Sequence, residues 1–574
     1  MRSIIISFLP EARRSGPFFG NGMLRRLTVL GQYRGLTLAA LCVAALAAVP
    51  ILTVFGSLAD FSTRDTWAHL AATVLPEYML NTVILCLGVG VGVSSIGVTT
   101  AWLTVMHDFP GRRFFEWALI LPLAVPAYVM AYVYTDFLQF VGPLQSQLRA
   151  WFGWQYGDYW FPDVRTVGGA VGMFAFVFYP YVYMLARTAF LERATGAMEA
   201  GRSLGLGPWA CFFRVSLPMA RPAIVAGTAL ALMETLADFG TVSYFGVQTF
   251  TTGIYRAWFS LGDRTAAAQL SAALLSVVVL VLVLEHISRG RARFTDTSRQ
   301  QRPGAGRRLS PLAGAIACVA CLLPLVFGFL LPGGLLLEMA LTEGDAHFGP
   351  RFFALAGNSF TLAAVTALLG VLLALLLAYA NRLSRGPLTR GFNRVVGLGY
   401  AVPGTVIAVG VLIPVTQLDN WLAGQFKTHF GLSVGLLLTG GMAALVYAYL
   451  TRFLSVALHA VDTGLGKITP SMDEAARSLG AGVWAGLRRV HMPMLKGSLL
   501  TAGLMVFVDV MKELPATLVM RPFNLDTLAT QAYNLASDER LAEASTAALT
   551  IVAVGLVPVI VLSGQIARQR RQRR

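Results

Sequence analysis

Residues 199–219 read EAGRSLGLGPWACFFRVSLPM and residues 474–494 read EAARSLGAGVWAGLRRVHMPM. Thirteen of these 21 positions are identical at a constant offset of 275, so the chain holds one segment twice. Each copy opens with helix-favouring residues around Glu199-Ala200 or Glu474-Ala475, meets Gly205 or Gly480, and ends at Pro218 or Pro493. Glycine ends a helix at low cost in the left-handed region, and proline suits a helix start. The pattern predicts helix, glycine break, helix, with the proline opening the next long helix. Outward from the loops the repeat continues: Asn81 recurs as Asn358, and Ala124-Val125-Pro126 recurs as Ala401-Val402-Pro403, both at offset 277. Two related halves running in the same direction follow, with a pathway expected between them.

Composition places those halves in a bilayer. Of the 574 residues, 56% are hydrophobic and only 13% charged, where soluble domains carry about 25% charge. Apolar stretches of span length recur at roughly 36–58, 80–103, 116–136, 167–190, 222–247 and 268–287, then at roughly 311–335, 358–379, 394–415, 433–454, 498–520 and 545–566. Each matches the length that crosses a hydrocarbon core of about 30 Å. The expected fold is an all-α polytopic membrane protein of about twelve transmembrane helices.

The net charge of +16 does not point to nucleic acid, because the basic residues lie in short loops between apolar runs. With the N-terminus in the cytoplasm, 35 of the 45 Lys and Arg fall inside and 9 outside. That asymmetry fits the positive-inside rule with both termini cytoplasmic. The expected organisation is a cytoplasmic segment 1–35; a first half 36–288 with core 79–287 and loop 191–221; a basic linker 289–310; a second half 311–566 with core 357–566 and loop 466–496; and a tail 567–574. The five cysteines, including the Cys318/Cys321 pair, fall in or beside apolar segments and read as small apolar packers.

Both loops resemble the EAA loop of ABC-importer permeases of the type-1 transmembrane class. The resemblance implies that each loop forms a coupling helix docking into a cytoplasmic ATPase, through Glu199, Ala200, Gly205 and Pro218 in the first half and Glu474, Ala475, Gly480 and Pro493 in the second. Gly201 and Met492 depart mildly from the family pattern. It also implies a dimer of ABC ATPase subunits, a periplasmic solute-binding protein and a bacterial inner membrane. No phosphate-binding loop is present: Gly466-Lys467 comes nearest, but Val461 and Ile468 stand where Gly and Ser or Thr are needed. Nucleotide chemistry is therefore assigned to another chain, and no cofactor or metal to this one.

After each loop comes a span with two acids, Glu234 and Asp238, then Asp509 and Glu513. Spacing of four places each pair on one helix face, and ionisable groups at bilayer depth usually face a bundle interior or water. Two readings stand: a path for a cation lined by the four carboxylates, or a structural role in which they pair locally, as Asp509 could with Lys512. The segments 244–263 and 512–544 are similar to those of fused iron(III) permeases that depend on a ferric-binding protein, which implies ferric iron as cargo. Tyr244 and Tyr255 suit iron ligation by type, but tyrosine at a membrane interface is more often a residue of the aromatic belt, and the iron reading does not rest on them. Thiamine or a polyamine are the rival cargoes within the class, with phosphonate or sulfate behind. A proton-coupled carrier would have no reason to keep the paired loops, and the seven histidines form no HExxH or other paired spacing that would suggest an enzyme.

Overall fold

The computed structural model describes residues 34–60, 62–155, 157–191, 201, 203–289, 307–342, 349–384 and 386–572. Glu199, Ala200, nearly all of the N-terminal segment and most of the linker lie outside the described residues. Eleven helices are long and apolar enough to cross a membrane. A twelfth candidate is the pair Arg112–Ala124 and Ala127–Phe152, bent by 91° at its break. Strand is confined, among the described residues, to a two-residue parallel pairing of His107–Asp108 with Arg307–Arg308.

The chain divides into two compact units that interleave along the sequence. One gathers Met1–Ser62, Asp263–Ala272 and Leu355–Thr527; the other gathers Thr63–Gly262, Ala273–Ala354 and Leu528–Arg574. The first unit takes most of the second half's core with the first helix of the first half, and the second unit takes most of the first half's core with the first and last helices of the second half. Within the first unit, the helix Arg34–Gly56 lies so close to Gly404–Phe430 that a side chain at Gly410 would come 2.4 Å from the Pro50 carbonyl. The Tyr447 hydroxyl donates to Leu46 O at 2.6 Å, and Gln269 Nε2 donates to Ser57 O and Asp60 O. Within the second unit, Gly328 brings the helical stretch Pro311–Thr342 against the Phe176 carbonyl, and the Tyr134 hydroxyl donates to Phe327 O at 2.5 Å.

Small residues set the packing, since apolar side chains in lipid gain little by burial and association relies on close backbone approach. A Cβ on Gly88, Gly92 or Gly97 of Leu75–Met106 would lie 2.8, 2.8 or 2.7 Å from Val171, Ala175 or Val182 of Val167–Ala189. From the other side, Gly227 would meet the Val182 backbone at 2.7 Å. The repeated asparagines have one task in both halves: Asn81 Nδ2 donates to Gln248 O at 2.9 Å and Asn358 Nδ2 donates to Asp526 O at 3.0 Å.

Several expected spans are broken. The stretches 116–136 and 394–415 are interrupted at Val125-Pro126 and Val402-Pro403, where short 3-10 turns end and new helices begin at Ala127 and Gly404. Proline removes an amide donor and drives the preceding residue to extended backbone, as ψ of 120° at Val125 and 124° at Val402 record. The stretches 222–247 and 498–520 end as helix at Ala237 and Met511, and short helices, Gly240–Tyr244 and Pro515–Met520, follow. The stretch placed at 433–454 is shifted to Met442–Leu465. Buried Asp419 instead fixes the preceding loop, accepting from the amides of Leu437, Leu438 and Thr439 and from the Thr439 hydroxyl.

Candidate functional site

The second loop forms the helix Pro470–Ser478, with Glu474 and Ala475 exposed on it. Gly480, at φ +78°, ends it: its amide bonds to Arg477 O at 3.0 Å and the Ala481 amide bonds to Ala476 O at 3.0 Å. These two bonds are a Schellman cap, which favours glycine at the left-handed position. In the first loop Gly205 sits at φ +84°, and the Leu206 amide bonds to Gly201 O at 3.0 Å. The glycine break is thus the same in both halves. As expected, Pro218 and Pro493 stand in the first turn of the long α-helices Leu217–Ala237 and Met492–Met511. Helical backbone also continues upstream to Trp209 and Val483 through π-turns at Phe212–Ser216 and Leu487–His491. A wider turn lets the helix pass a residue that lacks an N–H.

Each break carries an exposed leucine and tryptophan in matching register. Leu204 and Leu479 are 83% and 87% exposed, and Trp209 and Trp484 are 74% and 75% exposed. Large apolar side chains presented this openly beside a rigid turn suit a protein partner. These four residues are missing from the sequence-predicted site although the repeat contains them; their identity in both copies was the available signal.

The two loops are held by different chemistry. Asp473, one residue before Glu474, accepts from Arg382 Nε at 3.1 Å and pairs with Arg382 Nη2 at 2.9 Å and His491 Nε2 at 2.7 Å. Arg382 also donates to Leu465 O and Ile468 O, and the Tyr379 hydroxyl donates to Val483 O. In the first half an aromatic group stands instead, with the Trp102 ring 4.6 Å from Phe212 and 5.4 Å from Phe190.

The expectation that each acid pair shares one helix face is corrected. Glu234 and Asp509 lie on helices that stop before Asp238 and Glu513, and each later acid turns back to cap the following short helix. Asp238 Oδ1 accepts from the Thr241 and Val242 amides at 2.9 and 3.3 Å, and Oδ2 from the Thr241 hydroxyl at 3.1 Å. Glu513 accepts from the Ala516 amide at 3.0 Å, the Thr517 amide at 3.1 Å and the Thr517 hydroxyl at 2.7 Å. A carboxylate that satisfies free amides at a helix start is favoured there by charge as well as by hydrogen bonding.

The pairs then diverge. Glu513, 5% exposed, also pairs with buried Arg452 at 3.3 Å, and Gly404 leaves room for both, since a Cβ there would lie 2.6 Å from Oε1. The first half has Val177 at the position of Arg452. Asp509 pairs with Lys512 at 3.6 Å. Tyr244 lies under the Arg165 guanidinium, 5.0 Å from ring centroid to Cζ, and Tyr255 packs on Phe239 at 4.8 Å. Among the described residues no three His, Cys, Asp or Glu side chains converge as a metal site.

Comparison with known proteins agrees with the repeat. The family model for the binding-protein-dependent transport system inner membrane component matches twice, over residues 94–293 and 368–573. The chain belongs to this family. It is a fused permease of a binding-protein-dependent ABC importer, with the two copies covering both cores. The permease is 28% identical over 499 residues to an Fe(3+)-transport system permease protein of Haemophilus influenzae, covering 85% of this chain and 90% of that one. A putative ferric transport system permease protein of the same organism is 23% identical over 506 residues, 82% of this chain and 75% of that one. A molybdenum transport system permease protein of Escherichia coli is 30% identical over 206 residues, 34% of this chain and 87% of that one.

Proposed function

We propose that the permease carries ferric iron inward across the bacterial inner membrane, received from a periplasmic binding protein and driven by a dimer of cytoplasmic ABC ATPase subunits. The observation that carries the iron reading is that the two relatives named for ferric transport match more than four fifths of the chain. The molybdenum relative is a shorter protein, 87% of which matches about a third of this chain. The paired loops support the ATPase reading, because each offers a capped helix end with an exposed leucine and tryptophan. In this reading both termini and both loops face the cytoplasm, ATP is held and hydrolysed by the partner chains, and this chain carries no cofactor.

The test is radio-iron uptake in cells lacking the chain and complemented with it, competed with molybdate, sulfate and thiamine. ATP-dependent iron uptake restored by the chain is the expected result. Restored uptake of a competitor without iron would overturn the cargo, and uptake that follows a proton gradient without ATP would overturn the coupling.

A further inference from the structure

Five oxygen-bearing side chains gather in the first half's compact unit without a sequence motif to announce them. The helix Ala127–Leu138 carries Tyr128 and Tyr132 one turn apart, with ring centroids separated by 5.8 Å. Tyr132 is 2% exposed, and its hydroxyl has no hydrogen-bond partner among the described residues. The Tyr244 ring, at the end of the short helix that Asp238 caps, lies 4.6 Å from that of Tyr132. Tyr533 approaches from the same unit, its hydroxyl 3.1 Å from Ser243 Oγ and its ring 5.9 Å from Phe239, the neighbour of Asp238.

Tyr132 shares an unpartnered buried hydroxyl with Tyr179, and differs in having the Tyr128 and Tyr244 rings packed beside it at 5.8 and 4.6 Å. The second half shows the alternative. At the repeat positions of Tyr128, Tyr132 and Tyr244 it has Thr405, Val409 and Val519, and its capping acid Glu513 is already paired with Arg452. Phenolate and carboxylate oxygens are hard donors, suited to a small, highly charged cation, and ionisable groups at membrane depth mark ion pathways.

From this we infer that Tyr132, Tyr244 and Asp238, with Tyr128 and Tyr533 beside them, form a transient site for trivalent iron in this compact unit alone. The inference rests on the iron reading above. Each phenol that ligates does so as phenolate, releasing its proton to water. The site is one-sided: the second half contributes its carboxylate to structure and not to cargo.

The test uses the full permease with its ATPase in nanodiscs, titrated with ferric nitrilotriacetate and read by the visible tyrosinate-to-iron charge-transfer band. A band that appears in the native protein, is lost in Tyr132→Phe and is displaced by gallium(III) is the expected result, with iron uptake in cells lost in parallel. Tyr179→Phe is the control, because Tyr179 is another fully buried tyrosine with an unpartnered hydroxyl, on the helix Val167–Ala189; it should leave band and uptake unchanged. If the native chain imports iron but gives no band, or Tyr132→Phe keeps both band and uptake, the site is overturned while the iron reading stands. If Tyr179→Phe abolishes the signals equally, a general packing effect replaces the site. If the native chain imports no iron, both fall.

Discussion

Replacing Arg452 by methionine leaves the Glu513 carboxylate without its ion-pair partner, with only 1% of its side chain exposed. Removing one member of a buried pair costs about 3–5 kcal/mol, because the other charge stays desolvated. Glu513 keeps its hydrogen bonds from Ala516 and Thr517, so the lower end, about 3 kcal/mol, applies. A unit of this size loses about 2–4 °C in Tm per kcal/mol, which gives a fall of roughly 6–12 °C. Intrinsic tryptophan fluorescence of the detergent-solubilised protein on heating reads it. The double variant Arg452→Met with Glu513→Gln removes both charges and keeps amide-capping oxygen, so it should return to within about 1 kcal/mol of the native protein. A single variant that melts with the native protein, or a double variant that falls as far as the single one, refutes the reasoning.

Three further outcomes are expected. Gly205→Val with Gly480→Val forces β-branched residues into left-handed backbone at about 1–2 kcal/mol each, and should abolish uptake while the chain remains in the membrane fraction; normal uptake would show that the breaks are not needed for coupling. Trp209→Ala with Trp484→Ala should weaken ATPase binding by about 2 kcal/mol or more per site if these are hot spots, and co-purification of the ATPase at fixed salt measures it, unchanged yield counting against the docking surface. Asp473→Asn removes the charged acceptor of Arg382 and His491, worth about 1.5–3 kcal/mol; limited proteolysis should cut loop 466–496 faster while loop 191–221 keeps its native rate, and equal rates in the native and variant second loop would refute the ionic mount.

The features legible in the sequence were those repeated or locally periodic. The double loop, its glycines and the Asp509–Lys512 spacing needed only a comparison of the chain with itself. Hydropathy located the spans but averaged across their breaks, since Val125-Pro126 and Ala237-Asp238 are embedded in otherwise apolar runs. Arg452 falls near the end of the stretch placed at 433–454, and the structure sets it in the middle of Met442–Leu465, where it pairs with Glu513. The tyrosine group around Asp238 draws on residues 128 to 533, a separation over which no local pattern operates. The exchanged first helices are equally invisible, because packing partners leave no signature in hydropathy.

The exchange has a consequence for biogenesis. The helix Arg34–Gly56 meets its partner surface on Gly404–Phe430, which the ribosome delivers roughly 350 residues later. At about 5–20 residues per second, the first helix waits on the order of 20–70 s with its glycine-matched face unoccupied. The halves therefore do not mature in succession, and a chain interrupted after the linker lacks a completed unit of either kind. Fusion of the two halves in one polypeptide keeps the waiting helix tethered to the surface on which it packs, at a local concentration that separate subunits would have to reach by diffusion in the plane of the membrane.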